Sequence, residues 1–425
     1  MIDKIIKILE EEIIPSEGCT EPIALAYGAS KLASVLGNIP DKIDVCLSGN
    51  MIKNIKSVTI PNSEGMTGIE AAVAMGAILG DSTRELMVIS NVDHSKLNEV
   101  RDYIKSSKIN CSLYDGDIKL YIKLDGTYKA NAATIEIKEF HTNITQIIKN
   151  NESILDNSGE ISKLDEKVDR SFLSLKTIYE TAKIIDLSLI EETFGQVIDF
   201  NTAIAMDGLD KSYGIAMGRN ILEGIKEGFY GDDLRNNMAS FASAGSDARM
   251  NGCPLPVMTT CGSGNQGMTC SLPVIKFCQL KNKSREDLIR GLYVSHLTAI
   301  HTKEKIGRLS AYCGAITASA GVSGAIAFLD DMSLYEYESA AETTLAALSG
   351  IVCDGAKSSC ATKIACGVYG AVDSYFSVKK GRKFNFGEGL VGKTPEKTIE
   401  HVGLLGKDGM RETDTVILEI MLNNK

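Results

Sequence analysis

Two cysteines, Cys353 and Cys360, bracket the glycine-containing break Asp354-Gly355-Ala356-Lys357-Ser358-Ser359 between two apolar, helix-like runs. Further upstream, Cys313 stands in Leu309-Ser310-Ala311-Tyr312-Cys313-Gly314, again where an apolar helix is about to begin. A loop at the break can turn both of its sulfurs inward. Three cysteines at helix ends, inside a region of small residues, could hold an iron–sulfur cluster by three corners and leave the fourth iron open to a ligand. A further thiol, Cys19, directly precedes a helix expected from Ile23 to about Leu36, with Thr20 as its cap and Pro22 in its first turn. The positive end of the helix dipole there stabilises a thiolate and lowers its pKa. A capping loop whose cysteine is incidental fits the same position equally well.

The stretch Gly262-Ser263-Gly264-Asn265-Gln266-Gly267 satisfies G-x-G-x-x-G literally. Two prolines, Pro254 and Pro256, precede it and its surroundings read as helical, so a dinucleotide fold is not indicated. Consecutive backbone N–H groups of such a turn instead form an anion nest suited to a carboxylate, the alternative being a tight turn between helices. His296 and His301 fall on different faces of one helix. With His94, His141 and His401 they read as packing or surface histidines. Lys303, Lys305 and Arg308 read as a solvated face, from which one cation could reach a carboxylate or an anionic cluster. Cys46, Cys111, Cys270, Cys278 and Cys366 read as small buried hydrophobes. The chain has no C-x-x-C, which excludes zinc ribbons and thioredoxin motifs.

The elements that must carry these groups suggest an α+β protein of two domains. Residues 1–40 read as N-terminal helices carrying the Cys19 loop. Residues 41–150 read as a mixed α/β domain, with strands near Leu86–Ser90, Asn110–Tyr114, Ile118–Leu124 and Ala133–Phe140, and a polar turn over Gly49–Asn54. An alternating tail, 411–423, is expected to add a strand to that sheet. A polar linker is expected over 150–169, and an all-helical domain over 165–400. The net charge of −10 and the lack of a basic stripe argue against a nucleic-acid partner. The N-terminus reads as an acidic amphipathic helix rather than a signal peptide. Ala311–Leu329 is rich in Ala, Gly, Ser and Thr and reads as a buried helix, not a membrane span. A cytoplasmic protein with reduced thiols is expected, and a homodimer is compatible with the sequence.

Six stretches together resemble one family: SEGCTEPIA (16–24), SGNMIKN (48–54), SDARMNGCPLPVM (246–258), GSGNQG (262–267), GRLSAYCGA (307–315) and CDGAKSSC (353–360). They are similar, in this order and across nearly the whole chain, to iron–sulfur L-cysteine desulfidases, relatives of the alpha portion of bacterial iron–sulfur L-serine dehydratases. The resemblance implies that Cys313, Cys353 and Cys360 ligate a [4Fe–4S] cluster and that Cys19 is the catalytic thiol. Cys253 and Cys261 lie in matched stretches and are reserve ligands. The implied reaction is β-elimination of L-cysteine with water to pyruvate, ammonia and hydrogen sulfide. It needs no pyridoxal phosphate, and no lysine stands in a Schiff-base context. Asn50, Lys53 and Asn54, with Ser263, Gly264, Asn265 and Gln266, are then expected to hold the carboxylate or the amine. The dehydratases space their paired cysteines more widely, and some end in a cysteine that caps the open iron. This sequence has no cysteine after Cys366. The alternatives are an L-serine dehydratase with the same cluster and a non-catalytic iron–sulfur sensor or sulfur-binding protein.

Overall fold

The computed structural model describes residues 1–157 and 168–423. Helix α1 (Ile2–Glu12) leads into strand β1 (Pro15–Glu17), and α2 (Thr20–Leu36) follows after two residues. Then come β2 (Lys42–Leu47), α3 (Gly49–Ile55), α4 (Gly68–Leu79), α5 (Leu97–Lys105) and β3 (Ile109–Leu113). Strands β4 (Tyr121–Tyr128), β5 (Asn131–Lys138), β6 (Ile144–Lys149) and β7 (Glu152–Asp156) form an antiparallel meander. The second half is helical: α6 (Leu175–Ile184), α7 (Glu191–Asp210), α8 (Met217–Lys226) and α9 (Leu234–Met250) precede the short β8 (Pro256–Met258). After it come α10 (Gly264–Lys281), α11 (Arg285–Ile306), α12 (Gly314–Leu329), α13 (Leu334–Leu348), α14 (Ser359–Lys379), α15 (Pro395–Leu404) and α16 (Arg411–Asn423).

The expected mixture of helix and sheet is present. The larger sheet has the order β3-β2-β4-β5-β6-β7, with only β2 and β3 parallel. Alternation sends Ile43, Val45 and Leu47 of β2, Ile122 and Leu124 of β4, and Ile135 and Ile137 of β5 inward. There they meet α2 and α4 in one hydrophobic core. A second core is built from α6 to α15 and takes in Ile5, Ile8 and Leu9 of α1. The two N-terminal helices therefore part company, α1 joining the helical core and α2 the sheet. Between them, β1 pairs antiparallel with β8, Pro15 opposite Met258. This two-stranded clasp brings the Cys19 loop against the 259–264 loop, where Thr20 Oγ1 donates to the Gly262 carbonyl at 2.9 Å.

Four local expectations are corrected. The tail 411–423 is helix α16, not a strand: Val416, Ile417, Ile420 and Met421 recur at helical spacing. Glu412 and Asp414 in its first turn suit the positive helix end. Leu86–Ser90 is no strand, because a 3₁₀ turn covers Ser82–Met87. The Gly49–Asn54 turn is helix α3. Part of the expected linker is strand β7, while 158–167 lies outside the described residues. Among the described residues no helix is long and apolar enough to cross a membrane.

Candidate functional site

A cavity of about 100 Å³ lies where the two cores meet, and four thiols line it. Cys313 is the N-cap of α12 and Cys360 lies in the first turn of α14. Cys353 is in the loop before α14. The loops before α12 and α14 are strapped together by the Tyr312–Val352 bridge, with Cys313 N–H donating to Ile351 O (3.2 Å) and Cys353 N–H to Ala311 O (2.6 Å). Gly355 closes the turn at φ +97°, and a Cβ there would stand 2.4 Å from the Lys53 carbonyl oxygen, so the loop lies directly on α3. The three thiols sense one another. Burial, then the charges of Cys353 and Cys360, push the Cys313 thiol up to about 12, while Lys363 pulls it down. All eleven cysteines are free thiols. Among the described residues no three His, Cys, Asp or Glu side chains gather as a single metal ion requires.

Cys19, the N-cap of α2, faces the same cavity and is only 3% exposed. Its thiol is not acidified as its helix position predicts. Burial, then the Glu21 carboxylate, push it well above 9, against the pull of Arg249. Desolvation and a neighbouring anion outweigh the helix dipole here. The thiol donates to Glu21 Oε2 at 3.0 Å. Thr20 is not the cap, and its hydroxyl is engaged with Gly262 and Glu21. Glu21 Oε1 accepts from Asn54 Nδ2 at 2.9 Å, and His141 Nε2 stands 3.9 Å away. Burial favours the neutral acid, but the facing His141 and the Cys19 hydrogen bond outweigh it and hold the Glu21 carboxyl at about 2.

The remaining expected site residues divide. Ser263, Asn265 and Gln266 line the cavity, as do Asn50, Lys53 and Asn54. Gly264 does not, and its part is clearance: a Cβ there would lie 2.4 Å from Arg249 Nε. Ser263 caps α10 by accepting from Gln266 N–H at 3.4 Å, which occupies part of the expected nest. Asn50 and Lys53 are both committed to Asp414 of α16, at 2.7 and 2.5 Å. The reserve cysteines stand apart. Cys253 points at Asp207 (3.4 Å), and Cys261 borders a separate small cavity beside Arg170 and Glu304. Cys111 and Cys366, expected to be buried, are exposed.

Three lining or supporting groups lie outside the expected set, and a fourth, Lys303, is offered by the sequence only as one of three cations on a solvated face. Glu21 follows Cys19 by two residues in the same stretch, which was signal enough. Arg249, 2% exposed, is the cation of the SDARMNG stretch, and its Nε has no hydrogen-bond partner among the described residues. Lys303, read as solvated, is 4% exposed and lines the cavity. His141, read as a packing or surface residue, backs Glu21 from a distant loop.

One cavity thus gathers four thiols, a buried guanidinium and a buried carboxylate. A family model described as the serine dehydratase alpha chain matches residues 85–419. A UPF0597 protein of Fusobacterium nucleatum is 54% identical over 423 residues, 99% of each chain. UPF0597 proteins of Desulfitobacterium hafniense (98% of this chain, 96% of the relative) and Lachnoclostridium phytofermentans (the whole of both) are each 42% identical. The chain belongs to the serine dehydratase alpha-chain family. The matched segment contains Arg249, Gln266, Cys313, Cys353 and Cys360, whereas Cys19, Glu21 and α3 precede it.

Proposed function

We propose that this chain is a pyridoxal-independent lyase, an L-cysteine desulfidase that converts L-cysteine and water to pyruvate, ammonia and hydrogen sulfide. The observation that carries this reading is the meeting of Cys313, Cys353 and Cys360 with Cys19 around one cavity. The donor set suits a [4Fe–4S] cluster. The three thiols are free and near enough to feel one another's charge, yet they do not converge as single-ion ligands do. A cubane spreads its irons over separate corners, each taking its own thiolate. Bound there by Cys313, Cys353 and Cys360, the cluster would supply a thiophilic Lewis acid for the leaving sulfur.

The protein's own groups do the rest. Lys303 and Lys363, whose charges act on these cysteines, offset the thiolates. Arg249 acts on Cys19 instead, and its buried guanidinium, whose Nε has no hydrogen-bond partner among the described residues, takes the substrate carboxylate. Cys19 then lies beside Cα and receives the α-proton, a contribution of about 10²–10⁴ in rate for a general base. The 2-aminoacrylate released tautomerises and hydrolyses in water. The two hydrophobic cores act as two domains with the site between them, a common place for a small-molecule pocket. A second reading, L-serine dehydratase, is favoured by the description of the matching family and differs only in the leaving atom.

The test uses protein purified without oxygen. Iron and sulfide are counted, and pyruvate and sulfide release is followed with L-cysteine and with L-serine. About four irons per chain and both products from L-cysteine are expected. Turnover of L-serine alone moves the chain to the dehydratase reading. Iron-free protein that stays inactive after cluster reconstitution overturns both readings. A sensor or sulfur-binding protein would keep its cluster and show no turnover that Cys19→Ala abolishes.

A further inference from the structure

Resting on the reading above, Cys19 poses a difficulty: it must take a proton, yet the structure holds it as a buried thiol donating to Glu21. Glu21 is the anion of the cavity wall. It is 7% exposed, and its hydrogen-bond donors are weak or neutral: the Cys19 thiol and Thr20 hydroxyl on Oε2, and the Asn54 amide on Oε1. No lysine or arginine pairs with it among the described residues; its ion-pair partner there is His141, whose Nε2 faces Oε1 at 3.9 Å and leaves Oε2 to the thiol and the hydroxyl. A thiol is a poor donor, so a charged ammonium displaces it readily. Arg249 acts on the same thiol from α9. A buried anion and a buried cation thus flank Cys19, the pattern that an α-amino acid, with its ammonium and carboxylate on one carbon, completes.

We propose that Glu21 is the ammonium site of the substrate, and that an ammonium seated there frees Cys19 to lose its proton and act as the base. The ammonium takes over the Oε2 contact and neutralises the charge that opposes the thiolate. The Cys19 S–H bond breaks and its proton leaves to solvent or to buffer through the cavity mouth. The substrate Cα–H bond then breaks towards Sγ, forming a new S–H bond, and its electron pair becomes the Cα–Cβ double bond as sulfide departs. The charged groups that face Cys19 are Glu21 on its own helix and Arg249 on α9; those that face Glu21 are His141 and the thiol. Substrate charge therefore sets the protonation of the base, and a carboxylic acid that lacks the amine leaves Cys19 protonated.

L-Alanine and propionate differ only in the ammonium, and neither can eliminate. Their dissociation constants are measured by calorimetry on cluster-free and cluster-loaded protein, so this readout does not depend on turnover. Wild type is expected to prefer L-alanine about 10- to 150-fold, the worth of one charge-assisted contact. Glu21→Gln is expected to bring that ratio near one. The variant should also speed iodoacetamide alkylation of Cys19 at pH 7.5, read by mass spectrometry, because the opposing charge is gone. A ratio near one in wild type overturns the proposal without any variant. So does a preference that survives in Glu21→Gln, or alkylation of Cys19 no faster than in wild type. If wild type turns over neither L-cysteine nor L-serine, the function above fails, while the binding ratio still decides the role of Glu21.

Discussion

Replacing Arg249 with methionine separates a binding cation from a structural one. The side chain is 2% exposed, its Nε has no partner, and no carboxylate pairs with it among the described residues. A buried charge without a partner is a liability to the fold. Methionine has similar length and no charge, so the ligand-free protein should be as stable as wild type or more so in thermal unfolding. Binding should move the other way. A charge-assisted contact to a carboxylate is worth about 1.5–3 kcal/mol, and about 1.4 kcal/mol is a factor of ten. KM for L-cysteine, and the dissociation constant of propionate, should therefore rise about 10- to 150-fold. Gly264→Ala should do the same, because its new Cβ would stand 2.4 Å from Arg249 Nε and push the guanidinium aside. Combined with Arg249→Met it should add little, since both changes remove one contact. Arg249→Met should also slow Cys19 alkylation, because Arg249 draws that thiol down. A variant that unfolds several degrees early but binds propionate normally refutes the argument, and makes Arg249 a structural residue.

Three further outcomes are expected. Cys313→Ser, Cys353→Ser and Cys360→Ser should each lose most of the iron and visible absorbance of protein prepared without oxygen, while Cys19→Ser keeps both; equal iron in all four removes the ligand assignment. Asp414→Asn should loosen α16, because Lys53 is 2% exposed and loses its charged partner. Breaking a buried pair costs about 3–5 kcal/mol, so amide exchange over 411–423 should quicken, and unchanged exchange would show that the helix is held by other means. Burial pushes the Glu17 carboxyl from 4.5 up to about 8, against the pull of Ser90 and Arg84. The folded state then holds that proton more tightly than the unfolded one, and the stability it confers is complete below about pH 4.5 and lost as pH rises to about 8. Glu17→Gln should therefore unfold later than wild type at pH 8–9 and alike near pH 4; parallel pH curves for the two proteins would show that Glu17 is not the group responsible.

The parts of the site that could be read from the chain are those whose meaning is local. Cys19 before a helix and Gly355 in a break are properties of neighbouring residues, and the structure keeps both in their expected local setting. What was not legible depends on partners far along the chain. Glu21 reads as an ordinary first-turn acid until Asn54 and His141 close on it. Lys303 reads as solvated until α11 is buried with it. Gly264 was read for its backbone N–H, whereas its value lies in the Cβ it lacks beside Arg249. The tail reads as a strand because its residues alternate, with Thr, Val and Ile that also suit a strand by propensity. Its docking on α3 through Asp414 supplies what propensity omits.

On the function proposed above, the same distinction explains how one cavity can hold thiols with different tasks. Cysteine chemistry follows the charge around the sulfur more than the sulfur itself. Lys363 and Lys303 carry positive charge that acts on Cys313 and its neighbours, where three thiolates would otherwise repel one another. Cys19 has an anion, Glu21, as its hydrogen-bond partner, and so stays protonated at rest. A soft metal centre entering the cavity would meet, at Cys313 and Cys360, thiols that burial raises and Lys363 draws back, and at Cys19 one that burial and the Glu21 carboxylate both raise against the pull of Arg249. It would be expected to take the three and leave Cys19 free for the proton. Exchanging the charge at Glu21 should therefore weaken that division: in Glu21→Lys protein, Cys19 should compete for iron, and cluster loading should become sensitive to Cys19→Ser. Loading that is indifferent to Cys19 in both backgrounds would mean that loop geometry alone, and not charge, keeps the fourth thiol apart.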